Sequence, residues 1–145
     1  MVEELFGRFM IIGEVGLNHL GKEDYANDYV NFHLNNNFDC LSFQIRESNF
    51  YHREEKKHLR LDESFYEKTA NKYSNILYKK IGLSVSNLDS IKNIINLKFD
   101  FYKILSIAAK DTNLIDTLLK KTNAHIYISI GSLNLEEINK IIKMY

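Results

Sequence analysis

Residues 11–21 read IIGEVGLNHLG, an apolar segment that gives way to a loop with a carboxylate, an amide and an imidazole. This sequence pattern is typical of a strand that leads into a functional loop, because polar groups at the carboxyl end of a buried strand can converge on a ligand. An ordinary strand and turn with an exposed Glu14 fits the same residues. The segment predicts a strand from Phe9 to Val15 and leaves both interpretations of its loop open.

Four further apolar runs of strand length follow, and segments with helical spacing separate them. The predicted strands span Cys40 to Gln44, Ile81 to Val85, Phe101 to Leu105 and Ile126 to Ile130. The helical patterns are Ala26, Tyr29, Val30 and His33; Tyr66, Ala70, Tyr73 and Leu77; Ile91, Ile94 and Ile95; Leu114, Leu118 and Leu119; and a last helix from Leu135 to Tyr145. His33 is expected to lie at the edge of the core. This alternation predicts an α/β protein with a parallel sheet and right-handed crossovers.

The length of 145 residues predicts one domain, residues 1–145, with five strand-helix units. A closed eight-stranded barrel takes about 250 residues. The chain is therefore expected to form an incomplete barrel, as a fragment or a natural truncation, or else an open sheet. In a partial barrel the first and last strands would be exposed edges beside an apolar interior, which favours association with another copy or with a completing chain.

Charge and cysteine content exclude several classes of protein. Nineteen basic and nineteen acidic residues give a formal net charge of zero, so the sequence provides no basic face for nucleic acid. The single cysteine, Cys40, lies within an apolar strand and is expected to be a packed thiol in a reducing compartment. The apolar run from Phe9 to Ile12 is too short for a signal core or a membrane span, which predicts a cytoplasmic protein.

Known cofactor motifs do not occur in the chain. The spacing of its glycines does not match a dinucleotide fingerprint, and no Walker motif, nucleophile elbow or paired-cysteine zinc spacing is found. Its five histidines form no convincing i, i+4 pair on a helix, so no self-contained metal site is predicted.

Polar residues recur where the predicted strands end, and parallel strands would bring them to one rim. Each one alone is more simply a polar strand terminus. Their recurrence favours a site for a small anionic ligand, with one lysine and several hydroxyls and amides as donors. The set comprises Glu14, His19, Gln44, Ser86, Lys103, Ser106 and Ser129.

Four segments of the chain resemble, in order and spacing, the N-terminal half of the sialic acid synthase family, which includes the N-acetylneuraminate, legionaminate and pseudaminate synthases. They are residues 11–21, Asp39-Cys-Leu-Ser-Phe-Gln44, Tyr102-Lys-Ile-Leu-Ser106, and Ile128-Ser-Ile-Gly131 with Leu135-Glu-Glu-Ile138. The first motif is the most specific. The resemblance implies a TIM-barrel portion with strands in the order 1-2-3-4-5, and a cytoplasmic transferase of surface-carbohydrate biosynthesis.

The resemblance also implies a reaction and roles for the rim residues. Enzymes of the family condense phosphoenolpyruvate with an N-acyl hexosamine, and a divalent metal, manganese or magnesium, activates the sugar aldehyde. Glu14 would face the reacting centre, and Asn18 and His19 would shape the first loop. Metal-binding histidines of the family lie on later strands that this chain does not contain. The residues expected to bind phosphoenolpyruvate are Gln44, Ser86, Lys103, Ser106 and Ser129.

The chain departs from the family pattern at several positions. Ser42 stands where the family has a lysine that holds phosphoenolpyruvate, and Ala108 stands where it has an acidic residue. These departures predict that the chain on its own does not complete the reaction. They also keep open an alternative, a non-catalytic binding or assembly module that retains the fold.

Overall fold

The computed structural model describes residues 10–145, in which five strands form one parallel sheet in the order β1-β2-β3-β4-β5. The predicted α/β class, the parallel pairing and the strand order are therefore confirmed. The strands are β1 Ile12–Gly16, β2 Cys40–Ile45, β3 Lys80–Val85, β4 Phe101–Ile104 and β5 His125–Ile128. Phe9, the predicted start of the first strand, lies outside the described residues.

Helices and short turns connect the strands. The α-helices are α1 Glu23–Asn35, α2 Ser48–Tyr51, α3 Glu63–Tyr73, α4 Thr112–Lys121 and α5 Leu135–Met144, and single 3₁₀ turns lie at Lys57–Leu59 and Ser106–Ala108. Helical patterns predicted before the second, third and fifth strands, and at the end of the chain, are confirmed in α1, α3, α4 and α5. The segment from Ile45 to Leu61, which has no periodicity in the sequence, contains only α2 and one 3₁₀ turn.

The α1 helix packs one face on the sheet and uses His33 as a structural residue. Ala26, Val30 and His33 are buried, as their spacing predicts. The Nε2 atom of His33 lies 3.1 Å from the carbonyl oxygen of Phe38, and its Nδ1 atom lies 2.6 Å from the hydroxyl of Tyr73. A carbonyl only accepts, so Nε2 carries the proton and Nδ1 accepts from Tyr73. This arrangement joins α1 to α3 and to the start of β2.

The prediction of a helix around Ile91, Ile94 and Ile95 is wrong. Residues 88–97 instead form successive turns, in which the amides of Ile91, Ile94 and Leu97 each bond to the carbonyl three residues earlier. Asn87 and Ser90 hydrogen-bond through their side chains at the start of this segment, in competition with a helical ladder. The three isoleucines are nevertheless buried, because the turns place them against the core.

Leu77 is also predicted wrongly as part of the second helical face. The α3 helix ends at Tyr73, and the hydroxyl of Ser74 donates to the carbonyl of Asn71 in its last turn. Leu77 follows this end and is 90% exposed. Tyr66, Ala70 and Tyr73 are buried, as predicted.

The two faces of the sheet differ in character. One face joins the apolar core with the helices, through Leu41, Phe43, Ile45, Ile81, Leu83, Val85, Tyr102 and Ile104. Because side chains alternate along a strand, the intervening residues project to the other face. There they include Glu14, Ser42, Gln44, Ser84 and Lys103. The expectation of an apolar barrel interior is met only towards the amino ends of the strands, where Cys40 and Phe101 are buried, whereas charges and hydroxyls lie towards the carboxyl ends.

The α5 helix begins with a capping box, but none of its residues is buried. Asn134 and Glu137 form a reciprocal capping box at its start, with both bonds at 2.9 Å. Leu135 and Ile142 are largely exposed. The helix is held by this capping box and by exposed contacts such as the ion pair of Lys110 with Glu137 at 2.8 Å. Among residues 10–145, no helix is long and apolar enough to span a membrane.

Candidate active site

The centre of the candidate site is Glu14, which is positioned by an irregularity in β1. The register between β1 and β2 shifts between Glu14 and Gly16, and Gly16 has a φ of +59°, a left-handed conformation that suits glycine. The amide of Gly16 donates to Oε1 of Glu14 at 3.3 Å. This local turn fixes the carboxylate on the polar face of the sheet.

Two side chains from distant strands converge on the other oxygen of Glu14. The hydroxyl of Ser84 on β3 donates to Oε2 at 3.0 Å, and the ammonium of Lys103 on β4 lies 3.3 Å from the same atom. The side chains of Glu14 and Lys103 keep 35% and 41% of their surface exposed. The ion pair is therefore screened by solvent, and a ligand can reach both charges.

A buried pair of serines supports this cluster from below. Ser42 and Ser84 are almost fully buried, and their hydroxyl oxygens lie 3.2 Å apart. Because Ser84 donates to Glu14, Ser42 is the donor to Ser84. The result is a chain of hydrogen bonds from β2 through β3 to the carboxylate on β1. Ser42 thus has a structural role, at a position where the related family has a lysine.

Gln44 lies at the same level of the sheet as the cluster. In the strand register Gln44 pairs with Ser84, and Ser84 pairs with Lys103. The Oε1 atom of Gln44 is close to Gly16, where an added Cβ atom would come within 3.8 Å of it. Gln44 and Lys103 therefore flank Ser84 on one face, with Glu14 beside them.

Ser86, expected to contact a ligand, instead donates to another carboxylate. Its hydroxyl lies 2.7 Å from Oε2 of Glu47, and Arg46 binds the same carboxylate through two nitrogen atoms, at 3.0 and 2.9 Å. Hydrogen bonding from Arg46 lowers the pKa of Glu47 to about 2, although partial burial opposes the shift. Glu47 is therefore a fixed negative charge next to the polar face.

Ser106 and Ser129 lie near the ends of β4 and β5, away from the direct contacts of Glu14. Ser106 begins a 3₁₀ turn, and its carbonyl accepts a hydrogen bond of 2.8 Å from the hydroxyl of Ser132. The amide of Ser129 donates to the carbonyl of Ile104 at 2.9 Å, which continues the parallel pairing by one residue. Neither serine side chain bonds to another described residue.

The two residues expected to shape the loop after β1 lie in different environments. Asn18 is exposed, whereas His19 is fully buried and packs on Phe43. Nδ1 of His19 accepts the amide of Gly21 at 2.9 Å, so Nε2 carries the proton, and it has no partner among the described residues. Burial lowers the pKa of His19 to about 4. His19 is thus a neutral loop anchor in the core.

Two kinds of chemistry lack support within the described residues. Cys40 is buried, and burial raises the pKa of its thiol to about 11, which confirms the prediction of a packed thiol. Between residues 10 and 145, no three His, Cys, Asp or Glu side chains come together as metal ligands. The family's divalent metal therefore does not fit a site built from these residues alone.

Four residues in or beside the candidate site were not among those predicted at the rim: Ser42, Ser84, Arg46 and Glu47. Two of them carry a signal in the sequence, because Ser42 precedes Gln44 by two positions and Ser84 precedes Ser86 by two. Residues two apart on a strand share a face. Arg46 and Glu47 lie in the irregular connection after β2, where periodicity provides no information.

Comparison with known proteins agrees with this architecture. The model of the NeuB family matches residues 30–145. A search of curated protein sequences finds no match. Two solved structures share the fold. One is an N-acetylneuraminic acid (sialic acid) synthetase from Leptospira borgpetersenii serovar Hardjo-bovis in complex with citrate, with a TM-score of 0.77 and 17% identity over 93% of this chain.

The other structure is a Chromobacterium violaceum protein described as spore coat polysaccharide biosynthesis protein E, with a TM-score of 0.73 and 17% identity over 94% of this chain. The chain spans 49% and 45% of the lengths of the two solved proteins, about half in each case. The predicted incomplete (β/α) barrel is confirmed by the five parallel strands and by this likeness.

Proposed function

The chain belongs to the NeuB family, and we propose that it forms the phosphoenolpyruvate-binding part of a synthase of sialic-acid-type sugars. The proposed reaction condenses phosphoenolpyruvate with an N-acyl hexosamine, in cytoplasmic biosynthesis of surface carbohydrates. The observation that carries this proposal is the convergence of Glu14, Ser84 and Lys103 on one polar face of the sheet. The likeness to a sialic acid synthetase supports the assignment of the fold.

The cluster has the groups that this chemistry needs. Phosphoenolpyruvate carries a phosphate and a carboxylate, which require a fixed cation and hydroxyl or amide donors. Lys103 supplies the cation, and Gln44 lies on the other side of Ser84 in the register. In this proposal Ser106 and Ser129 provide further donors from the same edge of the sheet, and Ser86 joins them once its hydroxyl leaves the carboxylate of Glu47.

Glu14 would act at the reacting centre. When phosphoenolpyruvate binds, its anionic groups draw the ammonium of Lys103 away from the Glu14 carboxylate. Glu14 then faces the site with one fewer partner and can accept a proton from the water that adds during the reaction. The described residues form no site for the divalent metal of the family, which would supply Lewis-acid chemistry at the sugar aldehyde. The roles assigned to Glu14 and Lys103 require no metal contact of their own.

A second candidate function is a non-catalytic module that retains an anion site. Two observations favour it. Ser42 replaces a lysine of the related family and is buried in a hydrogen bond with Ser84. The one ammonium of the cluster, that of Lys103, is already paired with Glu14. Both features would weaken the binding of phosphoenolpyruvate, and neither would abolish it.

A calorimetric titration with phosphoenolpyruvate tests the proposal. We expect weak binding by the wild-type chain and a loss of about tenfold or more in Lys103→Ala, because a charge-assisted contact is removed. Lys80→Ala is a matched control, since Lys80 also lies on a strand of the sheet and pairs with a carboxylate, that of Asp100, at 3.0 Å. Equal binding by the wild type and Lys103→Ala would overturn the assignment. Release of phosphate in the presence of an N-acyl hexosamine and manganese would separate the enzyme from the binding module.

A further inference from the structure

A second cavity lies on the helix side of the sheet, apart from the Glu14 cluster. It has a volume of about 360 Å³, within the range of roughly 300–1,000 Å³ that small-molecule sites occupy. We call it the Arg60 cavity. It lies between the connection after β2 and the turns of residues 88–97, and its lining includes Arg46, Tyr51, Arg60, Glu63, Tyr66, Asp89, Lys92 and Asn93.

The inner wall of the Arg60 cavity combines apolar side chains with two phenols. Ile45, Leu61 and Ile94 are buried and provide apolar contact. Tyr51 and Tyr66 are also buried, and burial raises the pKa of both phenols, while the charge of Arg60 acts in the opposite direction. Arg60 and both tyrosines line this one cavity, so all three side chains can act on one ligand.

Cationic side chains and hydrogen-bond donors also line the Arg60 cavity. Arg60 and Lys92 form no ion pair with any residue from 10 to 145. Arg46 packs over the ring of Phe50, 4.5 Å from its centroid, and its guanidinium is held by Glu47. Guanidinium groups and phenol hydroxyls together are the donors that phosphate oxygens require.

Two carboxylates complete the lining and limit what it can hold. Glu63 accepts a hydrogen bond of 2.8 Å from the amide of Asn93, and Asp89 is the other acidic residue of the cavity. Carboxylates repel a bare anion and accept hydrogen bonds from hydroxyl groups. The mixture therefore favours a ligand that has an anionic end and a hydroxyl-bearing end.

We propose that the Arg60 cavity binds a small phosphorylated polyol, with the phosphate at Arg60 and its neighbouring donors, and the hydroxyls at Glu63 and Asp89. This site is distinct from the Glu14 cluster, because Ile45 belongs to the core side of β2 whereas Gln44 projects to the opposite face. The two sites are connected through Arg46, whose partner Glu47 accepts a hydrogen bond from Ser86.

Calorimetric titration with glycerol 3-phosphate tests the inference, with inorganic phosphate and glycerol as comparison ligands. We expect glycerol 3-phosphate to bind more tightly than inorganic phosphate, and glycerol not to bind detectably. Arg60→Gln should weaken glycerol 3-phosphate binding about tenfold, and Lys92→Gln should weaken it less. Both residues are exposed at the rim of the cavity, so these variants should keep the fold, which circular dichroism checks.

Two further variants separate this site from the other one and from effects of instability. Glu47→Gln leaves the guanidinium of Arg46 uncompensated and should strengthen glycerol 3-phosphate binding, a gain that unfolding cannot produce. Lys103→Ala, which removes the cation of the Glu14 cluster, should leave the binding of glycerol 3-phosphate unchanged. The proposal is overturned if the wild type does not bind glycerol 3-phosphate, if Arg60→Gln binds as the wild type does, or if Lys103→Ala abolishes binding.

Discussion

The ammonium of Lys103 lies 3.3 Å from the carboxylate of Glu14, although the two residues are 89 positions apart and lie on strands separated by two others. The strands between them, β2 and β3, place the small buried hydroxyl side chains of Ser42 and Ser84 beneath this pair. Small residues in the middle of the sheet thus allow two long side chains to meet above it. The candidate site consequently contains its own counter-ion.

This internal ion pair predicts that Glu14→Gln strengthens the binding of phosphoenolpyruvate. The substitution removes the negative charge that competes for Lys103 and keeps a hydrogen-bond acceptor for Ser84. Because the pair is partly exposed, its interaction is about 1 kcal/mol or less, which corresponds to a gain of about fivefold at most. Calorimetry at two salt concentrations measures the effect, with Asp100→Asn as the control at Lys80. Weaker binding by Glu14→Gln would contradict the account.

The buried serine pair predicts a measurable coupling in stability. Ser42→Ala or Ser84→Ala alone leaves a buried hydroxyl with a lost partner, and each should cost about 1 kcal/mol of the free energy of unfolding. The double variant should cost less than the sum of the two, by about 1 kcal/mol. Urea denaturation of all four proteins gives this coupling energy. Strict additivity would show that the two hydroxyls do not interact.

Burial of neutral His19 predicts a loss of stability in mild acid. Its pKa is about 4 in the folded protein, below the ordinary value of 6.5, so the unfolded chain takes up a proton that the folded protein resists. The stability is complete above pH 6.5 and falls as the pH drops towards 4, by about 3 kcal/mol. His19→Asn, which keeps an acceptor for the amide of Gly21, should flatten this dependence in urea titrations. An unchanged slope in His19→Asn would refute the assignment.

Among the glycines of residues 10–145, Gly21 is predicted to be the one that least tolerates a side chain. Its φ is +71°, and an added Cβ atom would lie 1.6 Å from the carbonyl oxygen of His58. Gly21→Ala should therefore destabilise the protein by about 3 kcal/mol or more, because backbone strain and a backbone clash add together. An added Cβ atom at Gly131 would meet nothing within 4 Å, so Gly131→Ala is the matched control. Thermal unfolding of the two variants measures the difference, and equal stabilities would be evidence against the described loop geometry.

The sequence allowed the strands and their parallel arrangement to be predicted because buried parallel strands are nearly continuous apolar runs. It failed at Ile91, Ile94 and Ile95, whose helical spacing reflects burial alone. The backbone there forms turns, and side-chain hydrogen bonds at Asn87 and Ser90 start the segment. Spacing alone does not distinguish a helix from successive turns that bury the same residues.

The candidate site was predictable only in part, for a related reason. Glu14, Gln44 and Lys103 lie at strand ends and were identified from their polarity within apolar runs. The surroundings of Ser86 could not be predicted in this way. Arg46 and Glu47 lie in an irregular connection, and only the folded chain brings Glu47 into contact with Ser86 at the end of β3. The role of Ser84 likewise depends on the register between β2, β3 and β4, which the sequence does not specify.

An amide chemical-shift map of the ¹⁵N-labelled chain titrated with phosphoenolpyruvate shows directly whether the Glu14 cluster binds this ligand. We expect shifts concentrated on the polar face of the sheet, at Gln44, Ser84 and Lys103, with Asn36 and Lys79 at the opposite end of the strands unchanged. Shifts confined to the surroundings of Arg60, or no saturable shifts at all, would contradict this expectation.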